Sequence, residues 1–291
     1  MKDSQSKGKS LTSKTQRSRR TLLAAMATAP LAVGLASSLG ATTVAAGKSN
    51  GKVAIVTGSS RGIGAATAKR LARDGYAVTV NCVENTDLAA AVVEDIRASG
   101  GQATWLQADV SDPGAVEQLF DTCEESFGVV DVVVANAGIM HLDPIGEMSD
   151  EAFDRMWAVN GKGSFNTLRE ASRRVRDGGR IIALSSSITQ FRTATYGPYA
   201  ATKMAQDMFV SALAKELSGR RISVNAVAPG VVNTTLFTDG KTSQQIAGFA
   251  DRTPHKRLGE PSDIADVVAA LCKDDGYWIN GQTVFANGGI V

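Results

Sequence analysis

Residues 52–64 read KVAIVTGSSRGIG, an apolar run followed at once by three closely spaced glycines. Residues 52–57 are too few for a helix and rich in β-branched side chains, which predicts a buried parallel strand. Residues 65–74 have helical composition. A strand, a glycine-rich turn and a helix in this order favour a pyrophosphate site, because glycines admit the anion to the backbone and the helix start offers free amides. The spacing Gly-x-x-x-Gly-x-Gly alone is equally typical of a tight turn without a ligand.

The same alternation of short apolar runs and helical segments continues to the carboxyl terminus. Further strands are predicted at residues 77–82, 103–108, 129–134, 179–184, 223–227 and 283–286. Further helices are predicted at residues 87–99, 113–127, 150–176, 196–218 and 261–272, with a helical patch at 243–249. This order predicts an α/β fold, a single doubly wound domain with a parallel seven-stranded sheet and helices on both faces.

Tyr199 and Lys203 lie four positions apart on the helix predicted at residues 196–218. That offset brings two side chains to one helix face, about 5–6 Å apart at Cβ. An ammonium at ~4 Å is worth about 4 kcal/mol near a protein surface, enough to lower the pKa of a phenol from its usual ~10. Tyr199 is therefore a candidate general acid or base. Taken alone, the pair is more typical of an ordinary helix surface.

Charge and composition exclude several classes of function. The net charge of +2 is concentrated in residues 1–20, which hold seven Lys or Arg and one Asp; residues 21–291 therefore carry 24 basic and 28 acidic side chains, a net charge of −4. This balance indicates no nucleic-acid partner. Two histidines and three widely spaced cysteines predict neither a histidine-based metal site nor a disulfide scheme.

Residues 1–47 have the order of an export signal, so the predicted domains are a leader at 1–47 and one α/β domain at 48–291. A basic head ends at Arg19 and Arg20, residues 21–47 carry no charge, and Val44-Ala45-Ala46 is a cleavage box. The segment resembles a twin-arginine signal, which predicts export to the periplasm. Its many small and hydroxyl residues disfavour a stable membrane anchor. A cytoplasmic protein with an N-terminal extension is the alternative.

The end of the second predicted strand bears on which dinucleotide would bind. An acidic residue there would select a ribose 2′-hydroxyl, but the sequence has Asn81-Cys82, and Glu84 lies slightly beyond. Arg61, in the glycine turn, is suited to a two-pronged contact with a 2′-phosphate. The sequence therefore favours NADP(H), with NAD(H) as the alternative if Glu84 dominates.

The assembled motifs resemble the short-chain dehydrogenase/reductase family over residues 51–291. The resemblance rests on Thr57-Gly58-x-x-x-Gly62-x-Gly64, Asn136-Ala137-Gly138, Asn160, the serines 185–187, Tyr199-x-x-x-Lys203 and Pro229-Gly230, in the family's order and spacing. It implies a Rossmann-type fold and an NAD(P)-dependent enzyme that interconverts a small ketone and an alcohol. The segment at residues 253–265 resembles the 3-oxoacyl-carrier-protein reductase branch.

The resemblance also implies roles for individual residues. Tyr199 would exchange the proton, Lys203 would hold the nicotinamide ribose and lower the phenol's pKa, and Ser186, with Ser187 as competitor, would bind the substrate oxygen. Asn160 would hold a water that passes protons to Lys203. The residues implied to bind the cofactor are Gly58, Ser60, Arg61, Gly62, Ile63, Gly64, Asp109, Val110, Asn136, Ala137, Gly138, Tyr199, Lys203, Pro229, Gly230 and Thr234.

Substrate and assembly are less specified by the sequence. Residues 231–254 lack strong periodicity and are a candidate substrate lid, and residues 188–198 are expected to complete the pocket wall. The family resemblance implies a homodimer or homotetramer packed through the helices that carry Asn160 and Tyr199. A protein of the same fold that binds nucleotide as a sensor or scaffold, without turnover, is the alternative function.

Overall fold

The computed structural model describes residues 49–291, in which strands and helices alternate along the chain. The strands are β1 (Val53–Val56), β2 (Ala77–Cys82), β3 (Gln102–Gln107), β4 (Val132–Ala135), β5 (Arg180–Leu184), β6 (Ser223–Pro229) and β7 (Thr283–Ala286). The α-helices are α1 (Gly62–Arg73), α2 (Thr86–Ala98), α3 (Pro113–Phe127), α4 (Asp150–Met156), α5 (Ser164–Arg174), α6 (Gly197–Glu216), α7 (Thr235–Thr238), α8 (Ser243–Arg252) and α9 (Pro261–Cys272).

The seven strands form one parallel sheet in the order β3-β2-β1-β4-β5-β6-β7, which confirms the predicted fold class. Strand order reverses between β1 and β4, where Ala54 pairs with Val132. In such sheets the crevice at the carboxyl ends of the strands beside this switch point is where ligands bind.

Side chains of β1 alternate between two hydrophobic layers, one on each face of the sheet. Ala54 and Val56 join the layer covered by α1, α2 and α9, whereas Val53 and Ile55 join the layer covered by α3, α5 and α6. A strand buried on both faces has no polar side to expose. This explains why the run at residues 52–57 is continuously apolar.

The helix predicted at residues 150–176 is interrupted around Asn160, Gly161 and Gly163, residue types that are poor inside a helix. Between α4 and α5 the chain forms a π-helix, Trp157–Gly163. A Cβ on Gly161 would lie 2.6 Å from Trp157 Cε3, and one on Gly163 would lie 2.6 Å from Val110 Cγ2, so both positions require glycine. The wider turn places Asn160, fully buried, against α6.

The segment at residues 231–254 is more regular than its sequence predicts. It contains the short helix α7 and the helix α8, which begins with a capping box between Thr242 and Gln245. The predicted bounds of β2, α3, β7 and α9 match the observed ones, and the other predicted boundaries differ from the observed ones by at most three residues.

Further predictions concern the leader, membrane spans, the cysteines and metal ions. The leader at residues 1–47, with its twin-arginine pair and cleavage box, lies outside the described residues. Among residues 49–291, no helix is both long and apolar enough to cross a membrane. The three cysteines are free and buried. The same residues hold no cluster of three His, Cys, Asp or Glu suited to a metal ion.

Candidate active site

A cleft of about 510 Å³ opens at the carboxyl ends of the central strands. It is lined by all but one of the residues predicted to form the site, including the glycine turn, Ser186, Tyr199 and Lys203. The exception is Asn160, which is fully buried behind the cleft wall. The fold therefore brings motifs separated by up to 176 positions in the sequence (58 to 234) into one site.

The turn between β1 and α1 has the shape of a phosphate cradle. Gly58 and Gly62 adopt positive φ values of +60° and +56°, a region that glycine enters without strain. A Cβ on Gly64 would lie 2.5 Å from Asn136 Nδ2 and still closer to the Gly58 carbonyl oxygen. No side chain caps the start of α1 and no acidic residue lies in its first turn. The free amides and the dipole of α1 thus fit the pyrophosphate of a dinucleotide.

Asn136 fastens the ends of β1 and β4 beneath this turn. Its Nδ2 donates to the carbonyl oxygens of Thr57 (2.8 Å) and Gly58 (2.9 Å). In return, Thr57 Oγ1 accepts from the backbone amides of Asn136 and Ala137, both at 3.0 Å. The glycine turn is therefore held by side chains rather than by the ladder alone. Beyond it, a Cβ on Gly138 would lie 3.5 Å from Lys203 Nζ.

The adenosine side of the cleft contains polar groups of opposite sign. The side chain of Asn81 is bound by backbone groups and is part of the scaffold. Its Oδ1 accepts from Gly58 N (3.1 Å), and its Nδ2 donates to Ala108 O (2.9 Å). Arg61 and Glu84 are both exposed at the rim. Asp109 accepts from Ser111 and from Arg155 Nη1 at 3.0 Å. Arg155 was not foreseen, because its partner lies 46 positions earlier.

Pro229, Gly230 and Thr234 line the far wall of the cleft after β6. A Cβ on Gly230 would lie 2.8 Å from Asn287 Cβ, so the close passage of these two segments requires glycine. Thr234 faces the glycine turn, since a Cβ on Gly62 would lie 3.4 Å from Thr234 Cγ2. The glycine turn and the segment that contains Thr234, both predicted to bind the cofactor, thus lie against each other.

Tyr199 and Lys203 lie on the buried face of α6, directed at the carboxyl edge of the sheet. Tyr199 is 8% exposed, and its hydroxyl lies beside Ser186. Lys203 Nζ donates to the Leu184 carbonyl oxygen at 2.7 Å and lies 5.8 Å from the centre of the Tyr199 ring. The ammonium is therefore beside the phenol ring and is fixed by the end of β5.

The expectation that Lys203 lowers the pKa of Tyr199 is not met in the protein alone. Burial raises the pKa of Tyr199 to about 12, against a lowering contribution from the Ser186 hydrogen bond. Burial also lowers the pKa of Lys203 to about 8, although Asp207 opposes this change. Desolvation is the largest cause of both pKa shifts because both side chains are nearly completely buried. The phenol therefore keeps its proton at neutral pH, which is the form that a proton donor requires.

The three serines after β5 have different partners. Ser186 is half-buried on the cleft wall and contacts Tyr199. Ser187 is buried, donates to Ala228 O (3.1 Å) and accepts from Asn287 Nδ2 (3.1 Å). Ser185 lies 3.5 Å from the Lys203 carbonyl oxygen. Of the two serines left open by the sequence, Ser186 is the one placed to meet a substrate oxygen.

Replacing Ser186 by Ala is expected to lower kcat about tenfold, because a hydrogen bond to a group that develops charge contributes roughly 1.5 kcal/mol. Ser187→Ala is the matched control. It removes hydrogen bonds that join β5, β6 and the C-terminal segment, so it should lower the thermal midpoint and leave kcat nearly unchanged. Steady-state kinetics and thermal unfolding of both variants measure kcat and the thermal midpoint. Equal losses of kcat would contradict the assignment of Ser186.

Asn160 is held by its side chain and by its carbonyl oxygen. Its Oδ1 accepts from Ile139 N (2.8 Å), and its Nδ2 donates to Ile139 O (2.8 Å) and Thr202 Oγ1 (3.1 Å). Its carbonyl oxygen accepts from Gln206 Nε2 at 2.8 Å. Gln206 was missed in the sequence, although it lies three positions after Lys203 and seven after Tyr199, on the same helix face.

The chain is similar to known enzymes over nearly its whole described length. A family model described as enoyl-(acyl carrier protein) reductase matches residues 58–291. A short-chain type dehydrogenase/reductase of Picea abies is 42% identical over 251 residues, covering 83% of this chain and 93% of that protein.

Two of the similar proteins were solved with NADP bound. A short-chain dehydrogenase from Burkholderia cenocepacia in complex with NADP has a TM-score of 0.78 at 36% identity, covering 82% of this chain and 98% of its own. The angucycline C-6 ketoreductase LanV with bound NADP has the same score and identity, covering 84% of this chain and 97% of its own. NADP(H) binding, predicted from the sequence, is confirmed by this similarity. The family match and these relatives show that the chain belongs to the short-chain dehydrogenase/reductase family.

Proposed function

We propose that this NADP(H)-dependent oxidoreductase reduces bulky, apolar ring ketones to alcohols, with Tyr199 as the proton donor. The observation that carries the proposal is the position of Ser186 beside a Tyr199 phenol that keeps its proton, in the same cleft as the glycine cradle. The opposite reaction requires the phenolate, which a raised pKa disfavours. The protonated phenol present near neutral pH is thus the form of Tyr199 that reduction uses.

The residues of the cleft divide the reaction between them. NADPH, when bound, supplies the hydride that adds to the carbonyl carbon. Ser186 hydrogen-bonds to the carbonyl oxygen and Tyr199 gives it a proton, so that the product is an alcohol and the phenolate must be reprotonated. The Lys203 ammonium, held at Leu184 O, is placed to bind the nicotinamide ribose and to stabilise that phenolate.

The substrate end of the cleft supports the choice of ring ketones. Beyond Tyr199 the wall is formed by aromatic side chains from the two segments expected to line it, namely Phe191, Tyr196, Phe237 and Phe249. The last two pack edge to face with ring centres 5.1 Å apart. Flat apolar molecules bind well to such walls. LanV, a structural relative, is an angucycline C-6 ketoreductase.

A panel of two ketones tests this function. The purified full chain is mixed with NADPH and either 2-tetralone, a two-ring ketone, or acetoacetyl-N-acetylcysteamine, a short 3-oxoacyl thioester. We expect kcat/KM to be at least about tenfold higher for 2-tetralone, since each buried CH₂ adds roughly 0.8 kcal/mol. A preference for the thioester would support the 3-oxoacyl reductase branch instead. NADPH binding without oxidation by any ketone would contradict the enzyme function itself.

We also propose that Arg61 selects NADPH and that Glu84 opposes this selection. Arg61→Ala should raise the KM for NADPH about tenfold and leave the KM for NADH unchanged, because it removes a charge-assisted contact with the 2′-phosphate. Glu84→Gln is the matched opposite and should lower the KM for NADPH. Initial rates with both cofactors measure the effect. An equal weakening of both cofactors by Arg61→Ala would contradict the role.

A homodimer or homotetramer is a further proposal. Large apolar side chains remain exposed on α5 and α6 (Phe165, Met204 and Met208) and beside the edge strand β7 (Trp278 and Phe285), with Trp278 90% exposed. Two separate apolar patches fit a dihedral assembly of four copies. Light scattering of the full chain after size-exclusion chromatography should give two or four times the mass of one chain. A monomeric mass would contradict the proposal.

For residues 1–47 we propose export through the twin-arginine route, supported by Arg19, Arg20 and the uncharged residues 21–47. The protein should appear in the periplasmic fraction of a producing bacterium with a new N-terminus near Gly47. Changing both arginines to lysine should keep the uncut chain in the cytoplasm. An uncut, cytoplasmic wild-type protein would favour the alternative of a cytoplasmic extension.

A further inference from the structure

We propose that Gln206 is a positioning residue for Lys203, a direct side-chain bridge that aims the ammonium into the cleft and ties it to Asn160. The proposal rests on the proposed function only in giving Lys203 contact with NADPH. Gln206 touches neither the cleft nor Tyr199, so its effect passes through Lys203.

The geometry fixes which way the Gln206 amide points. Gln206 is fully buried, and its Nε2 donates to the carbonyl oxygen of Asn160 at 2.8 Å and to Ser164 Oγ at 2.6 Å. A backbone carbonyl oxygen can only accept, so the NH₂ group must face Asn160. Oε1 therefore faces Lys203 Nζ, from which it accepts at 3.3 Å.

Two of the three ammonium hydrogens of Lys203 are thus assigned. One goes to Leu184 O at 2.7 Å and one to Gln206 Oε1. Two fixed acceptors determine the direction of the third hydrogen, which is left for the cleft that Lys203 lines. Without Gln206, a single acceptor would let the ammonium rotate and the Asn160 carbonyl would lose its partner. Preorganisation of this kind is what a charged group near reacting atoms requires.

The bridge also changes the role that the family resemblance implies for Asn160. Gln206 spans the distance between the Asn160 carbonyl oxygen and Lys203 Nζ, where the resemblance expects a water that passes protons. An amide in this place holds both groups but does not relay protons as a water does. The bridge therefore fixes the ammonium and clamps the π-helix to α6.

The chemistry also explains why an amide suits this position. A carbonyl oxygen stabilises a buried ammonium without neutralising it, whereas a carboxylate would make a full ion pair and raise the pKa of Lys203. Asp207, four positions after Lys203 on α6, raises the pKa of Lys203. Tyr199, beside the ammonium, and Tyr196, which raises the pKa of Tyr199, are the other titratable groups near this site. These three groups are the same in every variant described below.

The experiment measures the pH dependence of the NADPH dissociation constant by fluorescence of the bound nucleotide, which needs no turnover. In the wild type, affinity should fall as pH rises through about 8, where Lys203 loses its proton. Gln206→Glu should move this break upward by about one pH unit or more, because an opposite charge within hydrogen-bond distance favours the ammonium. Gln206→Met, similar in length but apolar, should move it downward.

Asn225→Asp is the matched control. Asn225 is equally buried, bridges Ile279 O and Gln282 N, and lies on β6 away from Lys203. The Asn225→Asp variant should have a lower thermal midpoint, and its NADPH affinity should fall at the same pH as in the wild type. If Gln206→Met fails to fold, Gln206→Glu still tests the bridge. A break at the wild-type pH in Gln206→Glu would overturn the proposal, whereas a shifted break in a protein that reduces no ketone would support the bridge and refute only the proposed function.

Discussion

Tyr199→Phe is expected to lower kcat for ketone reduction by about 1,000-fold, within the range usual for loss of a general acid. The substitution removes only the hydroxyl that Ser186 contacts and keeps the buried ring against Lys203. The carbonyl oxygen then gains its proton from water, which lacks the fixed position of the phenol. NADPH affinity and the thermal midpoint should stay close to the wild-type values. Single-turnover oxidation of NADPH with saturating ketone measures the chemical step directly.

Tyr76→Phe is the matched control for this prediction. Tyr76 is also a buried tyrosine with one hydrogen bond, to the Cys272 carbonyl oxygen at 3.2 Å, and lies at the opposite end of the sheet. Its loss should cost some stability and leave kcat unchanged. If Tyr199→Phe kept a tenth or more of the wild-type rate, another group would have to supply the proton, and the assignment of Tyr199 would be wrong.

Gly64→Ala is expected to weaken NADPH binding strongly although it adds one methyl group. The new Cβ would lie 2.5 Å from Asn136 Nδ2 and 2.8 Å from Ser59 Cα, and still closer to the Gly58 carbonyl oxygen. These neighbours are backbone or tightly bonded, so the turn itself must move away from the phosphate-binding shape. Overpacking of this kind costs about 1–3 kcal/mol, equal to roughly a 5–150-fold loss of affinity. Calorimetric titration with NADPH measures it.

Gly146→Ala tests whether the effect belongs to the position rather than to the residue type. A Cβ on Gly146 meets no atom within 4 Å, and the loop that carries it is remote from the glycine turn. NADPH affinity should therefore match the wild type. Wild-type affinity in Gly64→Ala as well would show that α1 tolerates a shift away from β1, contrary to the close packing described here.

The parts of the fold that local sequence controls could be predicted. The apolar run at residues 52–57 predicted a strand buried on both faces, and the interruption at Asn160 was visible because asparagine and glycine are poor inside a helix. The extent of the π-helix was not predictable, since it depends on contacts of Gly161 and Gly163 with side chains distant in the chain.

The parts of the site set by tertiary contacts were missed or predicted with the wrong sign. Arg155 reaches Asp109 across 46 positions, and Gln206 bridges to Asn160 across another 46, so no local pattern reveals either pair. The effect of Lys203 on Tyr199 was predicted from charge alone. Burial, which one sequence does not quantify, outweighs that charge and raises the pKa of Tyr199 instead.

The construction of α7 and α8 has a consequence for how this enzyme can change over evolutionary time. Neither helix contains a buried residue, α8 begins with its own capping box, and Phe237 and Phe249 pack edge to face against each other. Substitutions there should alter the substrate wall while leaving the unfolding free energy of the sheet almost untouched. New specificities can therefore accumulate in this segment without compensating mutations in the core, whereas the glycine cradle and the α6 face have almost no such freedom.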